Sequence, residues 1–329
     1  MSGVEPAALE TQPRIGRGAC LAVERRKGRG PLRFLLLPGL VPDGPETFLR
    51  QEALFLAHGD CEVVTYPYRE FCLEKVMDLV TDFVKRQSET GKPAILVGVS
   101  VGGGFVLEWL RRAREADADP AVAGVVLVSP MSCVEDLAPL LLRLWKPIVS
   151  KTGDSVQALE KGRSFFKSLA SRSAGGKGQN LSGIKGLLSL FTPQGLEEIQ
   201  ERKIKKRIEA TLDSIPPEGA IARCRALEGV PGIHAGTRPK AALASCPVLI
   251  LWGSKERHTL DMEGPGTSVL CRPDLAVKHF PDVQVQWIYG KGGEEVPHAS
   301  LLKHDKAFHK PLKEFVARLG RVAARRRAA

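Results

Sequence analysis

The sequence predicts an α/β fold in which a mostly parallel, twisted β-sheet carries helices on both faces. Apolar runs of strand length recur along the chain, and segments long enough for helices separate the early ones. Strands that alternate with helices pair in parallel through right-handed crossovers, and helices then cover both faces of the sheet. The runs are LRFLLLPG (32–39), CEVVTYPY (61–68), AILVGVS (94–100), VAGVVLVSP (122–130), PVLILWGS (247–254) and VQVQWIYG (283–290).

The intervening segments predict helices over residues 45–58, 71–88 and 102–116. Ahead of them, ACLAVERR at residues 19–26 is consistent with an antiparallel strand at the edge of the sheet. The alternation predicts that the first half of the chain builds the sheet in order, one strand and one helix at a time.

The alternation stops after residue 130 and resumes near residue 246. The residues between have helical and irregular patterns, and because the α/β pattern continues beyond them we interpret them as an insertion into the core. The predicted organisation is a flexible N-terminal extension (1–18), a core in two pieces (19–130 and 245–318), an inserted helical lid (131–244) and a basic C-terminal tail (319–329).

The composition is that of an ordinary globular protein. The 329 residues are 43% hydrophobic and 26% charged. No apolar run reaches the roughly 18 residues that would cross a bilayer, and the first residues lack the apolar stretch of a signal peptide, so we expect a cytoplasmic protein. Seven cysteines are scattered singly without a CxxC pair, which argues against a disulfide framework or a zinc site. We expect no metal and no cofactor.

The formal net charge is +11, and much of the excess lies in RRKGR (25–29), RKIKKR (202–207) and RVAARRRAA (321–329). No aromatic residues are interleaved there to stack on bases, so we interpret these stretches as solvated charge and expect no specific nucleic-acid partner. A weak attraction for anionic surfaces or substrates stays open.

The GVSVG motif at residues 98–102 joins an apolar strand to a helix and matches the G-x-S-x-G pattern of a nucleophile elbow. Its glycines permit the tight turn that lifts the Ser100 hydroxyl clear of the sheet. The amide of Val101 then lies at a helix N-terminus, where unpaired N–H groups favour a developing negative charge. The alternative is a glycine-rich turn that only packs tightly or binds phosphate, but the stretch lacks the lysine of a P-loop.

A serine hydroxyl needs a base to remove its proton. His298, in GKGGEEVPHASLLKH, follows the last strand and precedes the terminal helix, so its loop is expected at the same sheet edge as Ser100. His258 is a weaker rival. His304 and His309 are expected on a solvated helix face.

The base needs a carboxylate to hold its tautomer. Glu256 lies three residues after Gly253, at the end of the strand PVLILWG, and is our first choice. Asp261 lies nearby, and Glu135 and Asp136 follow the preceding strand, so these three remain alternatives.

A second donor to the oxyanion is expected from the loop after an early strand. In LLLPGLVPDG, Pro38 and Gly39 allow the backbone to turn close to the serine, which leaves the amide of Leu40 available. The alternative is an ordinary Pro/Gly turn.

With these pieces in order, the chain resembles the α/β-hydrolase superfamily. The resemblance lies in LLLPGL, GVSVGG, PVLILWG and PHASLL and extends over most of residues 19–130 and 245–318. The chain order Ser100, Glu256, His298 is the order that this fold uses. The superfamily also inserts its lid after the strand that follows the elbow, where residues 131–240 fall in this chain.

The resemblance implies acyl-enzyme chemistry on a small-molecule ester or thioester. Ser100 would attack the carbonyl, His298 would shuttle the proton, the Leu40 and Val101 amides would hold the oxyanion, and water would resolve the intermediate.

Three features depart from the common pattern of the superfamily: Pro-Gly-Leu in place of His-Gly in the oxyanion loop, Glu256 in place of Asp, and a long loop before His298. An acyltransferase would carry the same core motifs, and a non-catalytic binding protein on this scaffold is the alternative from another class.

Overall fold

The computed structural model describes residues 21–116, 121–149, 210–211, 214–233 and 242–328. Within them the chain forms a seven-stranded sheet of order β1-β3-β2-β4-β5-β6-β7. β1 is antiparallel to β3, and the remaining neighbours are parallel. The strands are β1 (Ala22–Arg26), β2 (Leu32–Leu37), β3 (Gly59–Thr65), β4 (Ala94–Val99), β5 (Gly124–Val128), β6 (Val248–Gly253) and β7 (Val283–Ile288). The sheet is therefore the predicted α/β architecture, with the expected antiparallel edge strand.

The helices connect and cover these strands. They are α1 (Gly44–Thr47), α2 (Glu52–His58), α3 (Leu73–Glu89), α4 (Val101–Glu115), α5 (Pro139–Val149), α6 (Pro217–Glu228), α7 (Thr267–Leu270), α8 (Pro273–Ala276) and α9 (Asp305–Ala328). The helix predicted over residues 45–58 is two short helices. They are separated at the buried Gln51, whose side-chain amide donates to the carbonyl of Leu301 at 2.8 Å.

Alternate side chains of the central strands pack into two separate cores, one on each face of the sheet. In β4, Leu96 contributes to the core that includes α3 and α4, and Ile95 and Val97 contribute to the core that includes α9. All six residues of β4 are buried, as expected for a strand with helices on both sides. Burial on both faces explains why this strand reads as a continuous apolar run.

The parallel strands end at one edge of the sheet, and the loops that leave this edge hold the predicted site residues. Leu40 follows β2, Ser100 follows β4, Glu256 follows β6 and His298 follows β7. In open α/β sheets, ligands bind beyond the carboxyl ends of the strands. The topology thus brings together residues that are almost 260 positions apart in sequence.

The terminal helix α9 continues through most of the residues predicted as a basic tail. Leu319 and Ala323 are 3% and 6% exposed and pack into the core on that face of the sheet. Their apolar side chains are spaced one helical turn apart, so the charged residues between them do not end the helix.

The predicted extension at residues 1–18 and the basic stretch at 202–207 lie outside the described residues. Most of the predicted lid does too. Its described parts include α5 and α6, and the inserted lid stays a prediction.

The six cysteines in the described part of the chain are free thiols. Four are buried, whereas Cys72 is exposed and Cys271 is half-buried. Cys72 precedes α3 at the surface. Among the described residues, no cluster of His, Cys, Asp and Glu could hold a metal ion. No helix in these ranges has the length and apolar character needed to span a membrane.

Candidate active site

Ser100 occupies a sharp turn between β4 and α4. Its φ of 52° and ψ of −117° lie in a region that non-glycine residues enter at a cost of about 1–3 kcal/mol. Its hydroxyl-bearing side chain is partly exposed. The strained conformation is the one that the G-x-S-x-G motif predicts.

The two glycines of the motif are required by close backbone contacts. A Cβ on Gly98 would lie 2.6 Å from the carbonyl oxygen of Gly102, and a Cβ on Gly102 would lie 2.4 Å from the carbonyl oxygen of Leu37. Real Cβ atoms do not approach a backbone oxygen this closely. The elbow can therefore form only where these positions lack a side chain.

His298 lies between Ser100 and Glu256. Its Nε2 is 2.8 Å from the Ser100 Oγ, and its Nδ1 is 2.5 Å from the Glu256 Oε2. The side chains of His298 and Glu256 are 2% and 0% exposed. A buried carboxylate at Nδ1 favours the tautomer with the proton on Nδ1, which leaves Nε2 free to accept the serine proton.

The second oxygen of Glu256 is held from two sides. Its Oε1 accepts hydrogen bonds from the amide of Gly253 at 2.8 Å and from the hydroxyl of Ser129 at 2.5 Å. The same hydroxyl accepts a hydrogen bond from the amide of Ala299, next to His298, at 3.0 Å. Ser129 thus ties the carboxylate to the histidine loop.

The sequence reasoning did not single out Ser129. It follows β5 directly in VVLVSP, and it has a positive φ of 46°. The sequence feature that could have identified Ser129 is its place as a polar residue at the end of a buried strand. That strand lies next to the elbow strand in the sheet.

Asp136, an alternative acid, is equally buried but occupied elsewhere. Its Oδ2 accepts from the amide and hydroxyl of Ser132 at 2.9 and 2.8 Å and from the amide of Cys133 at 3.3 Å. Its Oδ1 accepts from the amides of Gly266 and Thr267 at 2.8 and 2.9 Å. These bonds join the loop after β5 to α7. Both oxygens of Asp136 are used in them, and Glu256 is the carboxylate that binds His298.

The other two alternatives lie toward solvent. Glu135 is exposed, and the partly buried Asp261 accepts a hydrogen bond from the amide of Glu263 at 3.1 Å. Glu256 is therefore the carboxylate that the fold brings to His298.

The rival histidines have different surroundings. His258 and His309 are exposed, as expected for His309. The expectation that His304 lies on a solvated face is wrong: it is 7% exposed, and its Nδ1 is 2.9 Å from the Ser300 Oγ. It precedes α9 and faces inward, so burial lowers its pKa.

The Pro38–Gly39 turn passes directly beside Ser100. A Cβ on Gly39 would lie 3.3 Å from the Ser100 Cβ, so glycine permits this close approach. Within the described ranges, the amides of Leu40 and Val101 have no hydrogen-bond partner, which leaves both able to donate to a ligand. Val101 is the first residue of α4, where the helix dipole favours negative charge.

The arrangement is able to deprotonate the Ser100 hydroxyl and to receive negative charge next to it. The hydroxyl contacts an imidazole whose other nitrogen is bound to a buried carboxylate, and Val101, the next residue, supplies the first amide of α4. This is the geometry that nucleophilic acyl transfer requires.

Comparison with solved structures finds the same fold in several enzymes. A thermophilic esterase from Thermogutta terrifontis is 18% identical, with a TM-score of 0.53 over 91% of this chain and 94% of that chain. MenH from S. aureus is 14% identical, with a TM-score of 0.59 over 90% and 98%. The esterase RhEst1 from Rhodococcus sp. ECU1013 is 16% identical, with a TM-score of 0.56 over 91% and 96%. These likenesses identify the fold.

No curated protein matches the chain. A family model described as "Serine aminopeptidase, S33" matches residues 72–261, which is more than half of the chain and includes Ser100 and Glu256. The protein is therefore a hydrolase of the α/β-hydrolase superfamily and belongs to the family described as serine aminopeptidase, S33.

Proposed function

We propose that this protein cleaves a carboxylic ester or thioester through an acyl-enzyme on Ser100. The observation that carries the proposal is the continuous hydrogen-bonded path from the Ser100 hydroxyl through His298 to the buried Glu256. The path ends on a carboxylate whose other oxygen is already satisfied by Gly253 and Ser129. Side chains fixed by these hydrogen bonds are suited to proton transfer between Ser100 and His298 rather than to general packing.

In the first half-reaction, the Ser100 Oγ attacks the substrate carbonyl carbon while the His298 Nε2 takes the hydroxyl proton. The carbonyl oxygen becomes an oxyanion, which the amides of Leu40 and Val101 stabilise. The intermediate collapses when the bond to the leaving alcohol or thiol breaks. The proton on Nε2 passes to that leaving group.

In the second half-reaction, water attacks the acyl-enzyme carbonyl, and the His298 Nε2 takes one of its protons. The bond to the Ser100 Oγ then breaks, and the proton returns to that oxygen. The products are the carboxylic acid and the alcohol or thiol, and the enzyme regains its starting state. Throughout, Glu256 stays ionised and stabilises the imidazolium that forms on His298.

The choice of an ester over a peptide as the substrate is supported by proteins that share this fold and not by the lining of this chain's own pocket. The proteins from Thermogutta terrifontis and Rhodococcus sp. ECU1013 are described as esterases. Esters and thioesters also have better leaving groups than amides, so they need less help at the leaving-group side. The family description names an aminopeptidase, so an amide substrate belongs in the test.

The test measures hydrolysis of p-nitrophenyl acetate and butyrate by the wild type, by Ser100→Ala and by Ser88→Ala. Ser88 is an exposed residue of α3 and is the matched control. We expect Ser88→Ala to match the wild type and Ser100→Ala to lose at least about 10³-fold in kcat/KM. A fluorophosphonate probe is expected to label the wild type and Ser88→Ala only.

Two results would contradict the proposal. The first is a wild type that neither turns over esters nor reacts with the fluorophosphonate. The second is a kcat/KM on amino-acid p-nitroanilides that exceeds the value on the esters, which would make the protein a peptidase with the same nucleophile.

A further inference from the structure

We propose that Arg223, assisted by Tyr66, is a positioning residue that holds the oxyanion loop against Ser100. The inference rests on the proposed function, because it assigns a role to the Leu40 amide in the same reaction. Arg223 lies in α6, within the segment predicted to form the lid. A residue of the predicted lid would thus set the geometry of a group at the reacting atoms.

Arg223 is fully buried, and its guanidinium is bound by backbone carbonyls. Nη1 donates to the carbonyl of Leu40 at 2.6 Å, Nη2 donates to the carbonyls of Tyr66 and Pro67 at 3.0 and 3.1 Å, and Nε donates to Pro67 at 3.2 Å. Leu40 follows β2, and Tyr66 and Pro67 follow β3. One side chain therefore joins the loops at the ends of two neighbouring parallel strands.

The peptide between Gly39 and Leu40 carries the N–H that we assign to the oxyanion, and carbonyls on both sides of it are anchored. On one side, the Tyr66 hydroxyl donates to the carbonyl of Pro38 at 3.1 Å. On the other side, Arg223 holds the carbonyl of Leu40. Because Gly39 leaves the backbone free to rotate, the direction of this N–H depends on the two anchors.

The guanidinium depends on this arrangement as much as the loop does. Its Nη2 lies 3.9 Å from the Asp43 Oδ1, and its central carbon lies 6.0 and 5.6 Å from the ring centres of Tyr66 and Tyr68. A buried charge without enough hydrogen bonds is costly. The planar fork of arginine donates to the three carbonyls from separate nitrogens, whereas all donors of a lysine ammonium lie on one nitrogen.

The helix that carries Arg223 is held tightly on the core. A Cβ on Gly219, one turn earlier in α6, would lie 1.6 Å from the carbonyl oxygen of Tyr68. The helix backbone therefore rests directly on the loop after β3. This contact limits the motion of α6 relative to the loops that Arg223 joins.

The test compares Arg223→Lys, Arg223→Met and Tyr66→Phe with the control Tyr68→Phe, using a p-nitrophenyl ester. Tyr66→Phe and Tyr68→Phe each remove one buried hydroxyl in the same cluster. The Tyr68 hydroxyl, however, donates to the Asp43 carboxylate at 2.6 Å, three residues beyond Leu40, and not to either of the carbonyls that flank the Leu40 amide. Circular dichroism and thermal unfolding give the folded fraction of each variant, to which kcat is normalised.

We expect the Arg223 variants to lower kcat by about tenfold or more with KM within about twofold, because an oxyanion donor acts in the transition state. Tyr66→Phe should lower kcat less, in the same direction, and Tyr68→Phe should stay within about twofold of the wild type. Equal kcat losses for Arg223→Lys and Tyr68→Phe would overturn the proposal. A raised KM at unchanged kcat would also overturn it, since Arg223 would then act on substrate binding.

The remaining outcomes are decided by two further comparisons. If neither Arg223 variant folds, equal kcat values for Tyr66→Phe and Tyr68→Phe overturn the two-anchor arrangement. A wild type that is inert toward esters and the fluorophosphonate contradicts the proposed function. In that case, the rate of hydrogen exchange at the Leu40 amide tests whether Arg223 positions the loop, independently of any activity. Faster exchange in Arg223→Lys than in Tyr68→Phe supports it, and equal exchange overturns it.

Discussion

The region after β7 carries two histidines that each lie between a serine and a glutamate, and they differ in almost every other respect. His298 has its Nε2 2.8 Å from the Ser100 Oγ and its Nδ1 2.5 Å from the Glu256 carboxylate. Both side chains of the His298 and Glu256 pair are buried. The ring can accept a proton on the side of the serine while the carboxylate stabilises the resulting charge.

His304 has the reverse arrangement. Its Nδ1 lies 2.9 Å from the Ser300 Oγ, and its Nε2 lies 3.5 Å from an oxygen of Glu294, whose side chain is 56% exposed. Ser300 is 6% exposed and so is closed off from a substrate. The three residue types are the same, but this set lacks an accessible hydroxyl and a buried carboxylate.

The comparison teaches that the residue types alone do not make a nucleophile. Ser100 combines three conditions: a strained backbone at φ 52° that presents the hydroxyl, nearby amides of Leu40 and Val101 that have no hydrogen-bond partner in the described part of the chain, and a histidine with a fully buried carboxylate. The two sets also supply matched variants.

The largest expected effect comes from removing the charge of Glu256. Glu256→Gln places an amide NH₂ group at the His298 Nδ1, which then has to accept a hydrogen bond, so the proton moves to Nε2 and the ring cannot take the Ser100 proton. We expect kcat/KM on a p-nitrophenyl ester to fall by roughly 10²–10⁴-fold, which corresponds to an increase of about 3–5 kcal/mol in the activation free energy.

Glu294→Gln is the matched control, because it makes the same change beside His304. Its side chain is mostly exposed, so we expect activity within about twofold of the wild type. Similar losses in the two variants would remove the functional distinction between the two sets.

The second prediction separates a carboxylate that acts on His298 from one that holds loops together. Asp136→Asn replaces a carboxylate that accepts five hydrogen bonds with an amide. The N–H donors of that amide would face donors from which the carboxylate accepts. We expect the free energy of unfolding to fall by about 2–4 kcal/mol. The activity per folded molecule should change less than threefold, roughly.

Chemical denaturation with the ester assay run on the same samples measures both quantities. Glu256→Gln, in contrast, is expected to lose activity out of proportion to stability. An Asp136→Asn variant that keeps its stability and loses its activity would show that we assigned the acid wrongly.

The smallest expected effect is a pH dependence of stability that arises from His304. Burial lowers the pKa of His304, with Lys303 acting in the same direction and Glu294 and Asp305 opposing it. A histidine with a lowered pKa binds fewer protons when folded than when unfolded, so its contribution to stability is complete above about pH 6.5 and is lost as the pH falls.

Equilibrium unfolding between pH 5 and 7.5 tests this prediction. The wild type should become less stable toward pH 5, and His304→Asn should show a smaller slope. Burial also lowers the pKa values of His58 and His279, so part of the slope will remain in the variant. An identical slope in both proteins would mean that His304 already titrates normally in the folded state.

The sequence alone determined the order of the strands along the chain and the position of the elbow that presents Ser100. These features are local: a buried strand must be apolar on both faces, and the turn at Ser100 tolerates no side chain at Gly98 or Gly102. The three-residue path could be anticipated because each member follows a strand, and parallel strands end at one edge.

The tertiary structure decided which groups use each carboxylate, because hydrogen-bond partners come from distant parts of the chain. A carboxylate follows each of two neighbouring strands, and only packing directs Glu256 to His298 and Asp136 to the amides of Gly266 and Thr267. Arg223 has no local pattern that marks it, since its partners lie more than 150 residues earlier. A buried polar side chain takes its role from the atoms that replace water around it, and those atoms are defined only once the chain has folded.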